Sequence, residues 1–338
     1  MLLTTLCYLE RDDQYLMLHR ISKKNDVNKD KWIGIGGKFE FGESPEDCLL
    51  REAKEETGYT LTGYQLRGVV TFLFNDEEAE YMFLYTADGF EGEPVLCGEG
   101  TLEWIPKTEI DQLNLWEGDR IFFELLNANV PFFSLKLHYR GDRLEEAVLN
   151  GKPMELFDVL DENGEVSGLV RERSMVHARG DYHRTSHVWI VRDREDGGYD
   201  LLLQKRSMEK DSFPGCYDIS SAGHIPAGVD YRESALRELE EELGIKAGGE
   251  DLILIGYHEG LHDKVFNNKK FLDHEKHAVF LYRKPVDAES LKLQEEEVDS
   301  VLFMDIDQIL QAARSKDPGY CVFADEIEMI KSYLENCR

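Results

Sequence analysis

The chain has 338 residues, of which 42% are hydrophobic and 32% are charged, an ordinary balance for a globular protein. This length favours two domains of about 150 to 170 residues, each large enough to bury its own core. The formal net charge of −29 excludes a general nucleic-acid-binding protein, which needs a basic face for phosphates. An enzyme for small phosphorylated compounds stays compatible with this charge, because divalent cations and local basic residues offset the repulsion.

The first half of the chain alternates predicted strands with helices. Strands are predicted at residues 2–9, 15–20, 65–74, 81–87, 102–105 and 132–139. One helix is predicted to begin at Ser44-Pro45 and to end at Gly58, and two more are predicted at 107–113 and 114–127. This mixture predicts an α/β or α+β fold, in which helices pack on a mixed sheet.

A change in composition marks the expected domain boundary. Residues 141–153 are polar and lose periodicity apart from a short helical pattern at 144–149, and a new β-rich segment begins at residue 154. We therefore predict a first domain at 1–145, a linker at 146–153 and a second domain at 154–338.

The cysteines and the N-terminus indicate the compartment. The six cysteines form no CxxC pair, which predicts free thiols in a reducing cytoplasm. The N-terminal strand pattern has no basic segment and does not fit a signal peptide, and no apolar run approaches the ~18 residues of a membrane span. We expect a cytoplasmic protein without membrane contact, and the oligomeric state stays open.

The first predicted helix carries the clearest chemical signal. Its carboxylates Glu52, Glu55 and Glu56 are spaced i, i+3 and i+4, so all three lie on one helical face. Acidic groups this close raise one another's pKa unless a divalent cation or a base offsets their charge, and Arg51 is the adjacent base. The pattern predicts a metal site suited to a cation that prefers oxygen ligands.

The second half repeats the first at an interval of 186 residues without a gap, which indicates duplication of one fold. The acidic face recurs as Glu238, Glu241 and Glu242, whereas Glu43 is replaced by Val229. The other matched pairs are Arg20 with Arg206, Gly37 with Gly223, Gly42 with Gly228, Arg51 with Arg237, and Gly58 with Gly244.

The order Gly37-x5-Glu43-x7-Arg51-Glu52-Ala53-x-Glu55-Glu56-x-Gly58 resembles the Nudix box of hydrolases that cleave nucleoside diphosphates linked to another moiety. The resemblance implies two Nudix α/β/α sandwich domains in tandem. It also implies that the acidic face and the Gly37 carbonyl hold one to three Mg²⁺ or Mn²⁺ ions. In the family, Arg51 orients this face, often by pairing with Glu43.

The same resemblance extends to the second copy of the box. It implies matching roles for Gly223, Arg237, Glu238, Glu241 and Glu242. Because Val229 removes the usual partner of Arg237, this arginine is expected to pair with Asp230 or Glu233.

Family members use a further carboxylate from outside the box. The resemblance points to Glu99 in the first domain, for which a solvated loop acid is the alternative, and to Glu297 in the second. Arg20 and Arg206 are matching candidates for contact with the substrate.

Residues 1–143 resemble the MutT-like branch that clears oxidised purine nucleoside triphosphates such as 8-oxo-dGTP. By this resemblance Trp116 with Phe72 and Phe74 would sandwich a purine, and Asp119 would hydrogen-bond the edge of the base. The alternative for Trp116 is a core position. Ile33 departs from relatives that have an Asn in contact with the base.

Residues 154–310 resemble Nudix proteins related to isopentenyl-diphosphate isomerase. Ala222 replaces the cysteine expected in the isomerase, and residues 237–242 keep the hydrolase pattern, so both features favour a hydrolase. As in the isomerase, four histidines could form a metal cluster, with a structural role as the alternative. They are His177, His183, His224 and His274.

We therefore predict a metal-dependent pyrophosphohydrolase that acts on small nucleotides. The first domain is expected to convert an oxidised purine nucleoside triphosphate to the monophosphate and pyrophosphate, and the second to act on another nucleoside-diphosphate derivative. Because of Val229, the alternative for the second domain is a module that senses a nucleotide without turnover. An isomerase-like activity is a third class, which Ala222 disfavours.

Overall fold

The computed structural model describes residues 1–21, 26–210, 212–266 and 269–337, and the chain falls into two compact units, Met1–Leu156 and Phe157–Arg338. Each unit combines a mixed sheet with a few helices, which confirms the predicted fold class. None of the helices in these described residues is long and apolar enough to cross a membrane.

The strands of the first unit are β1 (Leu2–Arg11), β2 (Gln14–Arg20), β3 (Trp32–Ile33), β4 (Thr60–Phe74), β5 (Glu80–Glu91), β6 (Gly100–Pro106), β7 (Phe133–Arg140), β8 (Arg143–Leu149) and β9 (Lys152–Pro153). Its helices are α1 (Pro45–Thr57), a 3₁₀ helix at Lys107–Gln112, and α2 (Glu117–Asn127). The sheet order is β3-β2-β1-β5-β4-β7-β8-β9, with β6 paired to β2. Strands β1 and β5 are parallel, as are β4 and β7.

The segment before the second unit differs from its prediction. Residues 146–153, predicted to be a linker, complete β8 and form β9, which pair into the sheet of the first unit. The helical pattern predicted at 144–149 is wrong, because this segment is strand β8. A β-bulge at Glu145 adds one residue to the strand, so Leu144 and Ala147 both point inward at a spacing that resembles a helix.

The strands of the second unit are β10 (Leu156–Leu160), β11 (Val166–Glu172), β12 (Tyr182–Asp193), β13 (Tyr199–Arg206), β14 (Tyr217–Asp218), β15 (Ser221–His224), β16 (Leu252–Phe266), β17 (Lys269–Tyr282) and β18 (Val298–Asp305). Its helices are α3 (Arg173–Arg179), α4 (Tyr231–Leu243), α5 (Ile306–Ser315) and α6 (Ala324–Asn336). Strands β10 and β11 form a separate pair. The main sheet has the order β14-β13-β12-β17-β16, with β15 on β12 and β18 on β13.

Helix α1, which carries the first acidic face, begins and ends as its sequence predicts. Ser44 caps the N-terminus by accepting a hydrogen bond from the Asp47 N–H at 3.1 Å, and Gly58 ends the helix at a left-handed φ of 77°. Leu49 and Ala53 are buried in the core against β1, β2 and β5. This packing fixes the rotation of the helix and sets its acidic face beside the glycine loop that precedes it.

Helix α4 is the matching helix of the second unit. Asp230 caps its N-terminus, and Gly244 ends it at a φ of 70°. Ala235 and Leu239 are buried in a core with β12, β17 and neighbouring residues. Matching caps and matching buried residues therefore give helices α1 and α4 the same rotation about their axes.

Candidate active sites

The acidic face of the first unit closes on the Gly36-Gly37 loop. The Gly36 N–H donates to Glu56 Oε2 at 2.9 Å, and a Cβ on Gly37 would lie 2.3 Å from Glu52 Oε1. Only glycine permits this approach of backbone and carboxylate. Glu55 lies at the rim with 62% of its side chain exposed, so the structure brings Glu52 and Glu56 together at the loop and leaves Glu55 outside.

Arg51 connects two of the acids near this loop, Glu43 and Glu52. Its guanidinium bonds both oxygens of Glu43, from Nε at 2.7 Å and from Nη2 at 2.9 Å, and donates from Nη1 to Glu52 Oε1 at 2.7 Å. Hydrogen bonds from Arg51 are the main reason that the pKa of Glu43 falls to about 2. Arg51 thus fixes the orientation of Glu52 through a bidentate anchor on Glu43.

Glu56 is the most buried carboxylate of this face, with 7% exposure. Burial raises its pKa to about 8, the charges of Glu52 and Glu99 add to the effect, and the Gly36 N–H opposes it. A divalent cation would offset this repulsion and hold the group ionised. Clustered carboxylate and carbonyl oxygens are also the donor set that Mg²⁺ prefers, so the residues present fit such an ion.

Glu99 is partly exposed, and its charge affects the pKa of Glu56. It is ion-paired with Arg20, which also bonds Asp26 Oδ2 from Nε at 2.8 Å. Arg20 is therefore held between two acids at the edge of the acidic face. Asp26 was not among the residues selected from the sequence, because nothing in its local pattern distinguishes it from other loop acids.

The aromatic residues predicted to hold a purine lie together, in a geometry different from the expected sandwich. The rings of Phe72 and Phe74 are parallel with centroids 6.4 Å apart, and Trp116 meets them edge-on at 5.6 and 6.0 Å. Trp116 is 3% exposed, its Nε1 donates to Asn28 Oδ1 at 2.8 Å, and Lys31 Nζ lies 4.7 Å from its ring centroid. Trp116 is thus both a core residue and the wall of this aromatic cluster.

Asp119 completes the aromatic cluster three residues after Trp116. Its side chain is 6% exposed, and burial raises its pKa to about 7, with Arg120 and Lys31 opposing the rise. A carboxyl with this pKa is available near neutral pH both as a donor and as an acceptor. Such a group can bond either kind of atom on the edge of a base.

The second acidic face repeats the arrangement around Gly223. A Cβ on Gly223 would lie 2.2 Å from Glu238 Cδ, and Glu242 Oε2 accepts from the Ala222 N–H at 3.2 Å. Burial raises the pKa of Glu242 to about 7, and it raises the pKa of Glu238 as well. Glu241 is at the rim with 51% of its side chain exposed, as Glu55 is in the first unit.

Arg237 differs from Arg51 because Val229 supplies no carboxylate. It bonds Glu238 Oε1 at 2.6 Å and Glu241 Oε2 at 2.8 Å, and 40% of its side chain is exposed. The prediction that Asp230 or Glu233 would pair with Arg237 is wrong: its carboxylate partners are Glu238 and Glu241, and Asp230 caps helix α4. The acidic face itself therefore neutralises Arg237.

The remaining predicted residues of the second site are also engaged. Glu297 is ion-paired with Lys210, whose pKa is lowered by burial. Arg206 Nη1 donates to Asp218 Oδ2 at 2.8 Å. Lys210 was not predicted, because a single lysine in a loop carries no spacing signal.

A histidine centre lies beside this site, formed by His177, His183, His224 and Asp273, whose ligand atoms all lie within 4.8 Å of one another. The Nε2 atoms of His177 and His224 are 3.3 Å apart, and Asp273 Oδ1 is 3.4 Å from His177 and 3.5 Å from His183. His183 Nε2 and Asp273 Oδ1 are buried without a hydrogen-bond partner. Such orphaned ligand atoms at one point fit a bound cation.

The imidazoles of this centre have the protonation state of ligands. Burial lowers the pKa of His177 to about 3 and that of His183 to about 4, and it lowers the pKa of His224 well below its usual value. All three are therefore neutral near pH 7, which is the protonation state in which imidazole binds a metal. Three imidazoles and a carboxylate suit Zn²⁺ or a similar transition metal.

His274 does not belong to the histidine centre, contrary to the prediction. Its ring stacks on Tyr182, and its Nε2 lies 2.9 Å from Glu259 Oε1. Side chains alternate between the faces of strand β17, so Asp273 points to the centre and His274 to the other face. The carboxylate that the sequence prediction missed is Asp273, and the alternation of Asp273 and Glu275 on one strand was the available sequence signal for it.

Both halves of the chain are similar in sequence to known proteins. The NUDIX domain matches residues 2–126 and 181–324. Nudix hydrolase 3 of Arabidopsis thaliana is 43% identical over 168 residues, which cover 49% of this chain and 21% of that protein. An uncharacterised Nudix hydrolase of Clostridium acetobutylicum is 37% identical over 171 residues, covering 51% of this chain and 79% of its own length.

Two further relatives match less than half of the chain. The oxidized purine nucleoside triphosphate hydrolase of Danio rerio is 33% identical over 105 residues, or 31% of this chain and 67% of that protein. The crystal structure of a MutT protein from Bacillus halodurans shares 30% identity, covering 45% of this chain and all of its own, with a TM-score of 0.41. Since the NUDIX domain matches in both halves, this chain belongs to the Nudix hydrolase family, whose members act on pyrophosphate bonds of nucleotide derivatives.

Proposed function

We propose that the chain hydrolyses pyrophosphate bonds with Mg²⁺ or Mn²⁺, and that the first unit is a complete active site. The observation that carries this proposal is the closure of Glu52 and Glu56 on the Gly36-Gly37 loop. These two carboxylates and the Gly37 carbonyl would hold the cation, and exposed Glu55 is available to a further ion. The cation would neutralise the phosphate oxygens and lower the pKa of the attacking water.

The surrounding residues of the first site have separate tasks. Arg51, anchored on Glu43, keeps Glu52 in its orientation, so that the acidic face is preorganised. Arg20 presents a guanidinium beside Glu99, where it can contact a phosphate of the substrate. Glu99, whose charge contributes to the raised pKa of Glu56, would accept a proton from the attacking water.

The substrate proposed for the first unit is an oxidised purine nucleoside triphosphate such as 8-oxo-dGTP, cleaved to the monophosphate and pyrophosphate. Support comes from the aromatic cluster of Phe72, Phe74 and Trp116 with the nearby Asp119, and from the similarity to the oxidized purine nucleoside triphosphate hydrolase of Danio rerio. The Lys31 ammonium lies over the Trp116 ring, and a base that displaces it gives up a cation–π contact of about 0.5–1 kcal/mol.

For the second unit we propose hydrolysis of another nucleoside-diphosphate derivative at Glu238 and Glu242, with Gly223 as the matching carbonyl and Glu297 as the external acid. The histidine centre would hold a transition metal and thereby fix His224, the residue next to Gly223. A second candidate is a module that binds a nucleotide without turnover. The exposure of Arg237, which has no counterpart of Glu43, favours this candidate.

The cellular site proposed for this activity is the cytoplasm. All six cysteines are free, with Cys7 and Cys48 buried, as is usual for proteins of a reducing compartment. The partners proposed are small nucleotides rather than nucleic acid, since the net charge is −29.

Single substitutions in the full-length chain test the two sites separately. Glu56→Gln should lower Mg²⁺-dependent hydrolysis of 8-oxo-dGTP by at least about 100-fold, because the metal site loses a charge while the side chain keeps its size. Glu242→Gln should leave that rate unchanged and lower any turnover by the second unit. Glu109→Gln, an exposed acid outside both sites, is the matched control. Near-normal rates for Glu52→Gln and Glu56→Gln would contradict the metal site, as would turnover in EDTA.

A further inference from the structure

The pairing of strands within each unit shows which residues of the two units are equivalent. The residue after Gly37 pairs with Thr4, and the residue after Gly223 pairs with Thr185, so these threonines are equivalent. From them the register continues across two more strands. It runs Thr4, Met82, Val70 in the first unit and Thr185, His277, His258 in the second.

This equivalence identifies the counterpart of the aromatic cluster. Val70 on β4 is equivalent to His258 on β16. Two residues further along, Gly260 is therefore the equivalent of Phe72, and after two more residues His262 is the equivalent of Phe74. Phe323 is the N-cap of helix α6, as Trp116 is of α2.

The buried acid of the cluster is also duplicated. Glu326 lies three residues after the α6 N-cap and is 1% exposed, which matches Asp119 in α2. Each position of the base pocket proposed for the first unit thus has an equivalent position in the second unit.

The Glu326 carboxylate is hydrogen-bonded to two side chains of the second unit. Glu326 Oε1 accepts from Trp189 Nε1 at 2.6 Å, and its Oε2 lies 2.9 Å from His187 Nδ1. By contrast, no side-chain donor in the described part of the chain is hydrogen-bonded to the Asp119 carboxylate. A base edge would have to displace two buried hydrogen bonds to reach Glu326, which makes this acid a structural group.

The space for a base is filled as well. A Cβ on Gly260 would lie 2.2 Å from His277 Nε2 and 2.8 Å from Phe323 Cζ, so these two rings occupy the volume that a Phe72 side chain would need. His262 stacks on Phe323 with centroids 4.8 Å apart. The counterpart pocket is therefore closed.

Groups suited to phosphate remain beside the second acidic face. Lys210 is ion-paired with Glu297, the external acid proposed for this site. Arg206 is in turn held by Asp218. We propose that the second unit has no base-binding pocket and recognises its substrate by the diphosphate alone, so that compounds with different organic groups react at similar rates. This inference rests on the hydrolase function proposed for the second unit.

A substrate comparison in the full-length Glu56→Gln chain tests the inference, because this variant leaves only the second site complete. The substrates are GTP, UTP and inorganic tripolyphosphate with Mg²⁺. We expect kcat/KM for GTP and UTP to agree within about threefold, and tripolyphosphate to be cleaved. In the Glu242→Gln chain, which reports the first site, GTP should be preferred over UTP by at least about tenfold. A preference of that size in the Glu56→Gln chain would overturn the inference. No cleavage of any of the three would contradict the hydrolase function instead.

A binding measurement decides the inference independently of turnover. Inosine is a purine nucleoside without phosphate, so equilibrium dialysis with labelled inosine counts base pockets alone. We expect one site per wild-type chain and none in Trp116→Ala. Two sites in the wild type, or one in Trp116→Ala, would overturn the inference. No site in either chain would support it and would contradict the base pocket of the first unit. If Trp116→Ala does not fold, as judged by circular dichroism, the wild-type stoichiometry alone decides.

Discussion

Replacement of Asp119 by Asn tests the buried acid of the first unit, because the variant loses the carboxyl charge and keeps the size of the side chain. Asp119 is 6% exposed, and burial raises its pKa from 3.8 to about 7. A carboxyl whose pKa is raised by burial destabilises the fold when it ionises. We therefore expect Asp119→Asn to be more stable than the wild type at pH 8, and equally stable at pH 4 or below.

The size of this effect follows from the shift. The pKa rises by about three units, from 3.8 to about 7, and each unit corresponds to about 1.4 kcal/mol, so the carboxylate lowers the free energy of unfolding by up to about 4 kcal/mol. Below pH 3.8 the group is protonated in both the folded and the unfolded state and has no effect. Between these two pKa values only the unfolded state releases the proton, so wild-type stability falls as the pH rises, and the loss levels off above about pH 7.

Thermal unfolding followed by tryptophan fluorescence measures this difference. Trp32, Trp104 and Trp116 belong to the first unit and only Trp189 to the second, so the signal reports mainly the first. At about 2–4 °C per kcal/mol, Asp119→Asn should raise the midpoint by roughly 8–16 °C at pH 8. Glu124→Gln, an exposed acid on the same helix, should show no such pH-dependent gain. An equal effect of Asp119→Asn at pH 4 and pH 8, or a loss at pH 8, would refute the reasoning.

Two further predictions concern the second unit. Val229→Glu should give Arg237 a carboxylate partner like Glu43, the partner of Arg51, and should raise Mg²⁺-dependent turnover by the second unit. Glu43→Val should lower turnover by the first unit about 10-fold or more. If Mg²⁺ titrations of both variants match the wild type, this role of the carboxylate is contradicted. His183→Ala should abolish retention of one Zn²⁺ per chain after dialysis, measured by mass spectrometry, while His274→Ala retains it, and equal metal content in the two variants would exclude the histidine centre as a metal site.

The acidic faces could be predicted from the sequence because their geometry is local. Positions i, i+3 and i+4 share a helical face wherever the helix packs, and the apolar residues Leu49 and Ala53 set its rotation. The need for glycine at position 37 is also local, because the side chain that approaches its backbone, Glu52, is only 15 residues further along the sequence. Sequence spacing therefore determined both the residues and their arrangement.

Other features depend on contacts that spacing does not encode. Asp273 joins His177 and His183 because strands β12 and β17 pair in one particular register, and a shift of one residue would present His274 instead. The inward positions of Leu144 and Ala147 depend on a bulge opposite β7, which makes a strand look helical. The register of strand pairing decides both cases, and the spacing of residues in a single sequence does not encode that register.

Comparison of the two copies separates what the fold requires from what each site does. Both units keep the glycine, the two inward carboxylates and the helix caps, because these groups position one another within a short segment. They differ at positions that no local geometry constrains. Glu43 gives way to Val229, and Phe72 gives way to Gly260. The first change affects the orientation of the acidic face and the second affects recognition of a base, so rate and substrate choice are able to change independently of the shared metal site.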